Sequence, residues 1–363
     1  MGLRATPLAV EHARMGARMT EFAGWQMPLQ YSGILAEARA VRSGAGLFDI
    51  SHMGRLFVEG AGAVDLLSRE TVNNVAGLAV GRGHYTLILN ERGGIVDDLT
   101  VFRLDEAEYL VVTNAVNVGR VFSRLEARAR NCTVWDRTGL QAMLALQGPA
   151  AADALRHVGG EDAAALPFFA AGRFSISGVE CIVSRSGYTG EDGFELICRQ
   201  EQAVTLWNAL LANAEVVPCG LGARDVLRIE AGYPLYGHEI HEDVTPFEAG
   251  LAWVLKNPSE FTGRGALADL ASPLRRLTGL RAETRSVPRS GDVLEHDGQE
   301  VGTVTSGTFS PNLQAAIAMG YLPLSLLAEG TRVTVRSGTK SQGAVVTGLP
   351  FGDFGRAKRR KGH

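Results

Sequence analysis

The stretch "GGIVDDLTVF" (Gly93 to Phe102) sets two carboxylates, Asp97 and Asp98, inside an apolar, β-branched run. Charges are seldom placed mid-strand without a task, because taking a lone carboxylate out of water is costly. Strand alternation puts Asp98 on one face with Val96, Thr100 and Phe102, and Asp97 on the other with Ile95, Leu99 and Val101. The Asp97 face is otherwise aliphatic, so Asp97 is expected near the turn, with its carboxylate reaching solvent or backbone amides. Asp98 stands on the mixed face, the kind that lines a cavity. A dehydrated carboxylate there can accept protons or stabilise a nearby cation. Residue types alone leave a second reading standing, in which both aspartates decorate the mouth of a hairpin.

A second concentration is "SRSGYTGEDGFEL" (Ser184 to Leu196). Gly187, Gly190 and Gly193 permit a tight backbone, and Tyr188 offers a flat face with a polar tip. Glu195, between Phe194 and Leu196, is the carboxylate in a strand setting and the better candidate for a ligand contact. A carboxylate accepts two N–H donors at once, which suits an amidine-like edge such as a pterin or a guanine. The alternative is a turn rich in acids and glycine for conformational reasons. "GLGARDVLRIEAG" (Gly220 to Gly232) lacks the Lys-Ser/Thr of a phosphate loop and has Asp225 where a dinucleotide fingerprint has its third glycine. Its Arg224, Asp225, Arg228 and Glu230 read as an ion-pair lattice with one arginine free for an anionic or carbonyl ligand. His52 and the His238/His241 pair fit no zinc spacing, and no G-x-S-x-G elbow is present, so neither a metal centre nor a serine hydrolase is expected.

These residues need elements to hold them. "HYTLILNERGGIVDDLTVFRL" reads as a hairpin turning at Asn90 to Gly94, and "EYLVVTNA" as the next strand, followed by a helix in "VNVGRVFSRLEARAR". Upstream, residues 8–20 and 33–45 read as short helices around a turn-like "FAGWQMPLQYSG". Gly148-Pro149 punctuates a strand running into a helix, three strands carry the Tyr188 turn, and "EQAVTLWNALLANA" is an amphipathic helix. From Leu274 short strands broken by Gly, Ser and Pro point to a small all-β barrel. "GRAKRRKGH" is a basic tail.

The 363 residues, 45% hydrophobic and 21% charged, suffice for two or three domains with separate cores. A net charge of -3 argues against a dedicated nucleic-acid binder. No run of about eighteen apolar residues is present to span a membrane. The start "MGLRATPLAVEHARMG" has no secretory or import pattern, although Gly2 and Thr6 fit the short myristoylation pattern formally. Four scattered cysteines without a C-x-x-C pair read as reduced packing residues. A cytoplasmic, bacterial-type location is expected.

In order, "TPL", "FAGWQMPLQY", "GLFDISHMG", "NERGGIVDDL", "LQGP", "SGYTGEDGFE", "GLGARDVLRIEAG" and "TSGTFSP" resemble the glycine cleavage system T-protein (aminomethyltransferase) family over nearly the whole chain. The resemblance implies an α+β, three-domain cloverleaf around a central folate-binding channel, ending in a small all-β barrel. It implies a discontinuous domain of residues 1–50 plus 139–250, an inserted domain of 51–138 carrying the Asp98 hairpin and a barrel domain of 274–356; the basic run of 357–363 is itself read as a solvated, flexible tail. The implied reaction moves the aminomethyl carbon from the lipoyl arm of H-protein to tetrahydrofolate, a co-substrate. Ammonia is released and 5,10-methylenetetrahydrofolate forms. The implied partners are lipoylated H-protein and tetrahydrofolate, with neither nucleic acid nor membrane.

The same resemblance assigns roles. Asp98 matches the acid that lies against the reacting folate nitrogens, where a fixed anion favours an iminium-like carbon and relays protons. Glu195 matches the carboxylate that grips the pterin amino edge, with Tyr188 and Tyr85 lining the ring's slot. Asn114 matches a polar folate contact and Arg224 an arginine on the pterin side. Phe102 departs from a tyrosine found in some relatives, and Arg356 is assigned to the glutamate tail on charge and position alone. Two other readings share this fold: a folate-dependent demethylase, and a non-catalytic folate-binding protein serving iron–sulfur assembly.

Overall fold

The computed structural model describes residues 2–354. Arg356 and the basic tail therefore lie outside the described residues.

The hairpin forms as its sequence directs. Gly83–Leu89 and Ile95–Asp105 pair antiparallel, and the turn is tied by Asn90, whose Oδ1 accepts the backbone N–H of Arg92 (3.0 Å) and of Gly94 (2.9 Å). Gly93 turns the chain with φ +82°. A Cβ at Gly94 would collide with the carbonyl of Glu242, so the hairpin tip docks closely beneath that segment. Glu108–Thr113, Gly54–Glu59 and Thr133–Asp136 extend the hairpin into a five-stranded antiparallel sheet. Helices Ala63–Glu70 and Val118–Arg128 bury Leu66, Leu67, Val121 and Leu125 against Leu99, Val101 and Val111 on one face. Phe102 and Leu110 pack the other face against the neighbouring sheet.

That neighbour has six strands in the order Ala171–Ile176, Val179–Ser184, Gly193–Arg199, Gln141–Gln147, Ala45–Asp49 and Val216–Cys219. Ala45–Asp49 pairs antiparallel with Gln141–Gln147 although the hairpin sheet separates the two in the chain. Helices Ala151–His157 and Ala203–Leu211, the latter with Trp207, cover one face. Ile34–Ser43 and Leu221–Glu230 cover the other, which is also the Glu195 face, since Ile197 lies two residues on and packs there.

The C-terminal strands close into a six-stranded barrel. Alternation divides its residues. Leu280, Val304, Ala318 and Val346 fill the barrel, while Leu277, Ile317, Met319 and Tyr321 turn outward. The outward set packs against Leu87, Leu89 and Ile95 of the hairpin and Ile229, Ile240 and Val254. One apolar junction thus presses barrel, hairpin and the Leu221–Glu230 helix together beside Tyr85.

Two local expectations are corrected. Residues 8–20 are helical only over Ala9–Arg14, and the chain then enters a strand, Arg18–Phe22. "FAGWQMPLQ" is not a turn: Trp25–Gln30 pairs back on Arg18–Phe22, with the reversal confined to Ala23 and Gly24, both at positive φ.

Candidate functional site

The centre is the hairpin doublet. Asp98 Oδ2 accepts the Tyr85 hydroxyl at 3.0 Å, and Asp98 Oδ1 accepts Asn114 Nδ2 at 2.7 Å. Burial pushes the Asp98 carboxyl up to about 6, and these two hydrogen bonds hold it from rising further. Tyr85 is itself kept protonated, first by burial and then by the Asp98 charge, so it stays a donor.

Asp97 departs from expectation. Its carboxylate does not reach solvent: the residue is 0% exposed, on the helix-covered face with Leu99 and Val101. It accepts the backbone N–H of Asn114 at 3.3 Å, and the side-chain amides of Asn114 and Asn117 at 2.8 Å each. The sequence reading placed Asp97 by its distance from the turn. Asn117, at the start of the covering helix, supplies the donor that makes deep burial tolerable. A β-bulge near Leu89 adds to the departure, leaving Val96 unpaired and re-aiming the strand just before the doublet.

The second concentration arrives from the six-stranded sheet. Tyr188 lies on a turn packed so closely that a Cβ at Gly187 would strike Gln147. The Tyr188 hydroxyl donates to the carbonyl of Pro234 at 2.5 Å, and its ring faces that of Tyr233 with centroids 5.8 Å apart. Arg224 lays its guanidinium 5.1 Å from the Tyr188 ring centroid. Its Nη1 is buried without a hydrogen-bond partner, an orphaned donor suited to an acceptor on a bound ligand. Burial lowers the Arg224 proton affinity, and the charge of Glu195 opposes that. Glu195 is 9% exposed and accepts the Ser186 hydroxyl at 2.6 Å. The field of Asp98 reaches Tyr188 and that of Glu195 reaches Arg224, so the hairpin group of Tyr85, Asp98 and Asn114 and the group of Tyr188, Arg224 and Glu195 lie within electrostatic range of one another.

The expected lattice on the Leu221–Glu230 helix is divided. Arg228, fully buried, pairs with Asp225 (2.9 Å) and Glu239 (2.7 Å) and donates to Ser306 Oγ (2.7 Å) on the barrel. It also donates to the carbonyl of Tyr233 at 3.3 Å. Glu230 instead pairs with Arg42, at 2.8 Å, and accepts from Asn312. Arg224 alone of the four makes no ion pair among the described residues, and it is the free arginine.

Sequence reasoning passed over Trp253, whose ring stacks on Tyr85 at 5.9 Å and 19° while 58% exposed. It also passed over Asn117, Tyr233 and Glu239. The Asn114/Asn117 spacing beside a helix start was a usable signal; Trp253 carried none, because its partner lies far away in the chain. Among the described residues no group of three His, Cys, Asp or Glu is placed to hold a metal ion.

Residues 8–258 match the GCVT N-terminal domain model, and residues 275–353 match the glycine cleavage T-protein C-terminal barrel domain. The aminomethyltransferase of Geobacillus kaustophilus is 44% identical, covering 98% of this chain and 100% of its own. That of Streptomyces coelicolor is 45% identical over 96% and 97%. A crystal structure of glycine cleavage system aminomethyltransferase T from Bartonella henselae superposes with a TM-score of 0.90 at 39% identity, covering 97% of this chain and 99% of that one. With both domain models matched and full-length relatives above two-fifths identity, the chain belongs to the glycine cleavage T-protein (aminomethyltransferase) family.

Proposed function

We propose that the protein transfers the aminomethyl carbon carried on the lipoyl arm of H-protein to tetrahydrofolate, releasing ammonia. The observation that carries this reading is the pairing of a half-buried, elevated carboxyl at Asp98 with a second pole of Tyr188, Arg224 and Glu195 within electrostatic range of it. The second pole fits a pterin. Tyr188 offers a ring face, Glu195 a two-oxygen acceptor for an amino edge, and the orphaned Arg224 Nη1 a donor for a carbonyl. Bound tetrahydrofolate supplies the two nitrogens that receive the carbon.

The chain's own residues then do the following. Glu195 and Arg224 orient the acceptor so that its nitrogens meet Asp98. Asp98 holds negative charge where positive charge develops on the carbon, and accepts a proton at its carboxylate oxygen. Tyr85 and Asn114 fix the carboxylate's orientation. Burial excludes water, which strengthens each of these interactions. Asn114 acts through Asp98 as well as on the ligand, and Tyr85 walls the slot together with Trp253.

No helix of the described residues is long and apolar enough to cross a membrane; we place the enzyme in the cytoplasm with lipoylated H-protein as its partner. The test mixes purified protein, aminomethylated H-protein and tetrahydrofolate and follows ammonia. Release that depends on tetrahydrofolate is expected, and its absence overturns the reading.

A further inference from the structure

We propose that Asp97 and Asp98 work as one carboxyl pair, joined by the Asn114 amide, that holds a single proton through the neutral range and lends it to the departing sulfur. This rests on the functional reading above and gives Asp97 a part in the reaction as a positioning residue acting through Asp98.

The geometry is specific. Asn114 Nδ2 lies 2.8 Å from Asp97 Oδ1, 2.7 Å from Asp98 Oδ1 and 3.0 Å from the Asp98 carbonyl oxygen, so two N–H bonds face three acceptors. Asn114 follows directly on its strand, at the level of the ladder, where carboxylates from both faces of the neighbouring strand reach it. Asn117 and the Asn114 backbone complete the donors on Asp97, and Tyr85 completes those on Asp98. Each carboxyl is therefore dressed to carry charge. Among the described residues neither makes an ion pair with a cation. A fully buried and a half-buried anion sharing one nitrogen's hydrogens, with no cation paired to either among the described residues, are relieved by one proton, as in carboxyl dyads generally.

The titratable groups in electrostatic contact with the pair are Tyr85 from the adjacent strand, Tyr188 and Tyr236. Beyond Tyr236 lies the Arg120–Glu242 pair, whose charges offset each other. Burial raises both carboxyls, and the Asp98 charge raises Asp97 further.

The proton balance of the transfer leaves room for such a store. The C–S and C–N bonds of the aminomethyl donor break, and two C–N bonds to the acceptor form. The two acceptor N–H protons end on sulfur and on ammonia. Within the singly protonated pair it is Asp98, the less buried carboxyl, that gives the proton to the leaving sulfur and regains one from an acceptor N–H; Asp97 acts only by setting how readily Asp98 holds it, and the pair is unchanged after a turnover.

The test is a proton count with a kinetic counterpart. In carbon-13 NMR of protein labelled at the aspartate carboxyl carbon, the wild-type pair should titrate in two steps, one near 6 and one higher. Asp97→Asn should leave only the lower step. The pH profile of ammonia release should then lose its alkaline limb, with kcat down about tenfold and tetrahydrofolate affinity within about twofold. Asn117→Ala, which removes one donor from charged Asp97, should move the upper step to higher pH, and it serves if Asp97→Asn does not fold. An Asp97 signal ionised throughout pH 5 to 9, or an Asp97→Asn profile matching the wild type, overturns the proposal. Wild-type protein that releases no ammonia overturns the functional reading instead, and the NMR count still decides the pair.

Discussion

The Tyr85 hydroxyl donates to Asp98 Oδ2 across 3.0 Å while the Tyr85 ring stacks on Trp253. One side chain thereby sets the direction of the carboxylate and anchors its own ring on a half-exposed tryptophan. Tyr85 and Asp98 sit on paired strands of one hairpin, so their relation survives any small movement of the barrel or of the six-stranded sheet.

Asp98→Asn should lower turnover by about 10²- to 10⁴-fold, the usual worth of a positioned acid–base group. Tetrahydrofolate affinity should change within about threefold, because the amide oxygen can still accept from Asn114 while the Tyr85 hydroxyl turns to accept from the amide nitrogen, leaving the positions little changed. Single-turnover ammonia release and calorimetric titration measure the two separately; an equal loss in both would assign Asp98 to binding.

The same substitution should stabilise the fold at alkaline pH. The Asp98 carboxyl is raised to about 6 in the folded protein, so its contribution is present below the ordinary carboxylate range and is lost as pH rises through about 6. Thermal unfolding should show Asp98→Asn ahead of the wild type at pH 8 and level with it at pH 4.

Glu195→Ala should weaken tetrahydrofolate by about 10- to 100-fold, since a lost hydrogen bond to a charged group is worth about 1.5–3 kcal/mol. Ser186→Ala leaves the carboxylate in place and removes one donor, so its effect should be about 1 kcal/mol. Equilibrium binding distinguishes them, and a larger effect from Ser186→Ala would contradict the assignment.

Arg228→Met should cost about 3–5 kcal/mol, because Glu239, 0% exposed, then remains as a buried unpaired charge. Adding Glu239→Gln should restore part of the loss. Denaturant unfolding of the single and double variants reads the coupling; strict additivity would show that the pair does not hold the barrel junction.

His84 carries a pH-dependent part of stability. Burial, then the charge of Lys256, holds its imidazole down to about 4. Its contribution is complete above the ordinary histidine value of about 6.5 and fades as pH falls toward about 4. His84→Gln should flatten the unfolding-temperature curve between those limits.

The sequence by itself determined most of the strands, the barrel and which aspartate stands on the mixed face of the hairpin. Period-two alternation, the Asn90 to Gly94 turn and the glycine-rich Tyr188 bend are local signals, and local signals survive folding. It also separated Asp98 from Asp97 by face. Only the tertiary structure decided how dry each became. Asp97 is buried because Asn117 reaches it from a helix, Arg224 stands free because Glu239 and Arg42 draw Arg228 and Glu230 elsewhere, and Trp253 meets Tyr85 from a remote segment. Burial and pairing of a charge depend on groups brought from other parts of the chain, and strand periodicity carries no record of them.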